Sequence, residues 1–138
     1  MKILLILLLS AFASLAQAGN RIVVSISEQS AWLLDENGKV LMESPVATGL
    51  HHNTPTGHFT IGEKDLLHHS SINYSWRMPY YMHLANEPFG LHQYYIPWIS
   101  PDGFHGRPAS HGCVRMPMDK AQFFFYHTEI GTPVDIVP

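Results

Sequence analysis

The segment Ser110-His111-Gly112-Cys113-Val114-Arg115 holds the only cysteine of this 138-residue chain. A cysteine attacks as its thiolate, and a free thiol with a pKa of about 8.5 is mostly protonated at neutral pH. It therefore needs a base or a positive neighbour. His111 stands two residues before Cys113, and His92 ends the upstream strand pattern Gly90-Leu91-His92. Residues two apart in an extended segment share a face, so His111 and Arg115 both flank the thiol. Gly112 lets the backbone turn tightly, so that amide N–H groups can face a developing oxyanion. Arg115 suits a carboxylate. Together these types support covalent acyl transfer through an activated thiol. The competing reading is an inert, packed cysteine.

These residues need a scaffold, and the pattern is mostly β. Arg21 to Ser27 is short and β-branched, as a strand requires. Apolar runs at residues 31–34 and 40–46 flank Glu36-Asn37-Gly38-Lys39, a hairpin signal whose two central positions take positive φ in the tightest turn. Further strands are expected at Gly57–Gly62, Arg77–Leu84, Phe89–His92 and Val134–Val137. One helix is expected after the cysteine. Pro117 suits its first turn, Met118, Ala121, Phe124 and Phe125 share a face, and Gly131-Thr132-Pro133 ends the element. Residues 93–110, with Pro97, Pro101, Gly103, Gly106 and Pro108, read as a long functional loop.

The N-terminus reads as an export signal. Lys2 precedes the apolar run Ile3 to Leu15, and Ala16-Gln17-Ala18 has the small-x-small form of a cleavage site. The run is short for a membrane span. The expected organisation is a signal at residues 1–18 and one domain at 19–138. A lone thiol in an exported chain has no intramolecular disulfide partner, which favours the reactive reading. The chain carries 8 Lys+Arg against 11 Asp+Glu, a net charge of −3. Loss of Lys2 with the signal makes it one unit more negative. No basic run indicates nucleic acid.

With these residues in view, the chain resembles the L,D-transpeptidase catalytic domain of the YkuD family. That family's signature is a histidine, a spacer, then Ser/Thr-His-Gly-Cys, here His92, residues 93–109 and Ser110-His111-Gly112-Cys113. Pro45-Val46-Ala47-Thr48-Gly49 with Thr54-Pro55-Thr56-Gly57-His58-Phe59 resembles a second family segment. Met78-Pro79-Tyr80-Tyr81-Met82 resembles its strand before the catalytic histidine, and Gly131-Thr132-Pro133-Val134 its closing strand. The resemblance implies a single-domain, β-sandwich-like fold with a short helix after the cysteine. It implies an exported, periplasmic enzyme acting on peptidoglycan stem peptides through a thioester. The resolving amine belongs to another stem, an envelope lipoprotein or a free D-amino acid; water in that role makes a carboxypeptidase. Cys113 is then the nucleophile, His92 the base, and His111 an orienting group. Ser110, Gly112, Arg115 and Tyr80 form the oxyanion- and substrate-binding set. No metal or cofactor is implied.

Two departures stand out. The family has small residues after its first histidine, where this chain has Gln93-Tyr94, so the partner that orients His92 is not evident. His105-Gly106 is a second His-Gly pair, which makes His105 the alternative base. The chain has 10 histidines, including the adjacent pairs His51-His52 and His68-His69. Their spacing is not that of a helical zinc site, although a His-rich metal-binding protein remains the alternative from another class.

Overall fold

The computed structural model describes residues 19–94 and 106–138. The expected signal at 1–18, His105, and most of the long loop lie outside the described residues.

Among the described residues, eight strands form one sheet around a short helix. β1 (Arg21–Ser25) and β2 (Ser30–Leu34) alternate as half-buried strands must, with Ile22, Val24, Ala31 and Leu33 fully buried. β3 (Val40–Pro45) pairs back on β2. The hairpin is the expected one, but its turn differs. Gly38 has φ +82 and Asn37 is not among the positive-φ residues. Asp35 explains this, because its carboxylate accepts the N–H of Asn37 and of Lys39, each at 2.9 Å. That Asx arrangement wraps a longer loop than a two-residue turn.

β4 (Gly57–His69) is twice the expected length. Its first residues pair with β8 (Pro133–Val137), and the remainder with β5 (Arg77–Leu84). A register shift between Ile61 and Glu63 marks the bend between the two parts. Next come β6 (Gly90–Gln93) and β7 (Val114–Met116), which run parallel to each other. The full order is β3-β2-β1-β8-β4-β5-β6-β7. The two ends of that order meet. Ala47, just past β3, exchanges both backbone hydrogen bonds with Arg115 of β7 at 2.9 Å. The sheet thus curls into two leaves facing one interior.

Helix α1 (Met118–Tyr126) packs against β3, β5 and β6. Ala121, Phe124 and Phe125 are buried at spacings of three and four, as an amphipathic helix requires. Met118, expected on that face, is 51% exposed. Burial of a side chain such as Phe124 contributes about 2–3 kcal/mol. The helix end is held by Lys64, whose Nζ donates to the carbonyls of Phe125 and Thr128. Charged Lys64 thus satisfies carbonyls that the last turn leaves open.

Candidate active site

β6 and the segment leading into β7 bring the candidate residues to one cleft. Leu91 pairs with Val114 and His92 with Arg115, so the buried Leu91, Val114 and Met116 face the interior. His92, Cys113 and Arg115 take the opposite parity and line a cleft of about 720 Å³. Trp76, Tyr81, Asn53 and Gly112 line it as well.

His92 is buried, and burial lowers its pKa to about 4. The Arg115 and His68 charges add to that, against an opposing hydrogen bond to the Gln93 backbone. That bond joins Nδ1 to the Gln93 carbonyl at 2.7 Å. A carbonyl only accepts, so Nδ1 carries the proton and Nε2 is the free base. The missing orienting partner is therefore a main-chain carbonyl, which the Gln93-Tyr94 departure leaves intact.

Cys113 is half-buried. Burial pushes its thiol up, while a hydrogen bond from the Gly90 backbone and the Arg115 charge pull it down. The resting pair is thus a neutral thiol beside a neutral imidazole. Arg115 stabilises the thiolate as it forms and disfavours premature protonation of His92. Its guanidinium lies over the Tyr94 ring, 5.6 Å from the centroid. Gly90 is required for close approach: a Cβ there would sit 2.3 Å from the Met82 carbonyl oxygen.

The loop before Cys113 is pinned from two sides. Ser110 Oγ donates to the Cys113 carbonyl and accepts the Gly112 N–H at 3.1 Å. Thr54 Oγ1 donates to the Gly112 carbonyl at 2.6 Å and accepts the Gly49 N–H at 2.8 Å. Gly112 has φ +156, a conformation that side-chain-bearing residues rarely adopt.

Several expected residues take different places. The Gly112 N–H is engaged by Ser110, so in this arrangement it does not face the cleft as a free oxyanion donor. His111 is exposed, and its ring stacks on Trp76 with centroids 5.4 Å apart. It lines the same cleft as Cys113. Tyr80 packs on Phe125 and Tyr126 of α1, on the interior side of β5. The cleft residue is its neighbour Tyr81, which is 6% exposed. Alternation along a strand decides between them, and Tyr80-Tyr81 offers no sequence signal for which one points inward. Thr54 lay in a segment noted for its resemblance, but its contact with Gly112 spans 58 residues and has no local signature.

Among the described residues, no group of three or more His, Cys, Asp or Glu is placed to hold a metal ion. No helix among them is long and apolar enough to cross a membrane.

Comparison with curated proteins returns no match. Solved structures do match. An L,D-transpeptidase from Mycobacterium smegmatis aligns with TM-score 0.73 and 22% identity, covering 88% of this chain and 59% of that one. One from Stackebrandtia nassauensis aligns with TM-score 0.73 and 25% identity, covering 88% and 57%. L,D-transpeptidase 3 from Mycobacterium tuberculosis, in complex with a faropenem-derived adduct, gives 0.70 and 20%, covering 87% and 60%. The chain thus spans about three-fifths of the length of these proteins. Most of these identities speak for the fold alone. The sequence itself matches the L,D-transpeptidase catalytic domain family, YkuD, over residues 19–136, and the chain belongs to that family.

Proposed function

We propose that this protein is an exported cysteine L,D-transpeptidase acting on peptidoglycan stem tetrapeptides. The observation that carries the reading is that His92 and Cys113 line one cleft, with Nε2 of His92 left as the free base. In this mechanism the thiol proton moves to His92 as sulfur attacks the carbonyl of the third stem residue. The terminal D-alanine leaves with that proton, and a thioester on Cys113 remains. An amine then resolves it, giving a 3→3 cross-link, attachment to a lipoprotein lysine, or D-amino acid exchange. Arg115 and the Cys113 amide support the developing charges.

The leader at residues 1–18, cut after Ala18, delivers the enzyme to the periplasm in this reading. The faropenem-derived adduct of the Mycobacterium tuberculosis relative supports a further expectation, that penems and carbapenems acylate Cys113.

Mass spectrometry of products from purified disaccharide-tetrapeptide, with and without added amine, tests the proposal. Amide-linked product that requires Cys113 supports it. Tripeptide as the sole product under both conditions would make the enzyme a carboxypeptidase with water as acceptor. Unchanged substrate would overturn both.

A further inference from the structure

Strands β5, β6 and β7 lie side by side in that order. His92 on β6 therefore stands between Cys113, at the head of β7, and Tyr81 on β5. The Met82–Leu91 register sets Tyr81 beside His92, with ring centroids 6.2 Å apart and planes tilted by 43°. The Tyr81 ring is fixed. It is nearly buried, and it stacks on His68 with centroids 4.2 Å apart and planes within 11°. Its hydroxyl nevertheless has no hydrogen-bond partner among the described residues, and the residue lines the cleft. Burial, with the Cys113 and Glu63 charges adding to it, keeps the phenol protonated. A clamped, neutral, unpartnered hydroxyl beside a catalytic base is placed to meet a ligand.

The proton path says which part of the ligand. This step rests on the thioester reading above. In acylation the S–C bond forms, the carbonyl electron pair moves to oxygen, and the thiol proton passes to His92. Collapse restores the carbonyl and breaks the C–N bond, and His92 returns the proton to the departing nitrogen. In the second half the incoming amine gives a proton to His92 as its C–N bond forms. The C–S bond then breaks, and the thiolate takes that proton back. Both nitrogens must lie within hydrogen-bond reach of His92, on the side away from sulfur. That is the Tyr81 side.

We propose that the Tyr81 hydroxyl accepts a hydrogen bond from the departing nitrogen and from the amine that replaces it. Tyr81 thereby favours amine over water as acceptor. Water depends on it less, because a water molecule reaches His92 in several orientations.

The test uses the full chain with a synthetic tripeptide thioester as donor, whose leaving thiolate needs no proton from His92, and a free D-amino acid as acceptor. Tyr81→Phe keeps the ring and removes only the hydroxyl. The variant is expected to form the same acyl-enzyme, with the ratio of amide to acid product reduced about tenfold, the size of one lost hydrogen bond. An unchanged ratio, at whatever overall rate, overturns the proposal while leaving the thioester mechanism standing. Absence of an acyl-enzyme in the unaltered protein overturns both.

Discussion

Thr54 and Gly112 are 58 residues apart in sequence, yet the threonine hydroxyl donates to the glycine carbonyl at 2.6 Å in a buried site. The same oxygen accepts the Gly49 N–H at 2.8 Å. One side chain thus joins the segment after β3 to the loop that presents Cys113.

Thr54→Val keeps the volume and removes both hydrogen bonds. It should destabilise the fold by about 1–3 kcal/mol, because a buried donor and acceptor lose their partner. Urea unfolding measures this, and Thr54→Ser should recover most of the loss. A midpoint unchanged in the valine variant would mean that the loop holds its shape without the clamp.

Cys113→Ala and Cys113→Ser should abolish turnover, and the alanine form should retain the fold. His92→Ala should lose ~10²–10⁴-fold in rate, the usual contribution of a general base. His105→Ala should lose much less. The opposite ranking in steady-state assays would transfer the base to His105.

The pH dependence follows from burial. His92 titrates at about 4 in the folded chain, against an ordinary 6.5. The unfolded chain binds more protons between those values, so this contribution to stability is complete above about 6.5 and is lost as pH falls towards about 4. The acid limb of kcat/KM should accordingly lie near pH 4. Burial raises the thiol above its ordinary value, so iodoacetamide labelling of Cys113 should still be accelerating at pH 9. A labelling rate already flat at neutral pH would indicate a pre-formed thiolate and a different charge state for the pair.

Incubation with a carbapenem should add one drug mass to the intact protein, and Cys113→Ala should show no such shift. Lack of an adduct after long exposure would indicate that the cleft does not admit the drug to the sulfur.

The parts legible in the sequence are those with local causes. The β2–β3 hairpin, β5, α1 and β8 announce themselves by alternation, turn residues or helical spacing. That Cys113 and His92 share a cleft is legible because one lies in a contiguous motif and the other at a strand end. The second half of β4 was not, since Glu63-Lys64-Asp65 lacks an apolar stripe and is held by its pairing with β5. The engagement of Gly112 by Ser110, the clamp by Thr54 and the sheet closure through Ala47 and Arg115 are tertiary events without a sequence period. Tyr80 and Tyr81 show the limit most simply, because a strand's parity assigns one to the helix and the other to the cleft.

The placement of β8 has a consequence for how the chain reaches this state. The last strand is a central one, parallel to β1 on one side and antiparallel to β4 on the other. Until residues 133–137 are in place, β1 has no partner toward β4, and the first hairpin meets the far edge of the sheet only through the Ala47–Arg115 bridge. Assembly is therefore dominated by pairings between distant parts of the chain, which makes folding slow and late. Cys113 and His92 thus share a cleft in a sheet whose central joining strand, β8, is contributed by residues well beyond either of them.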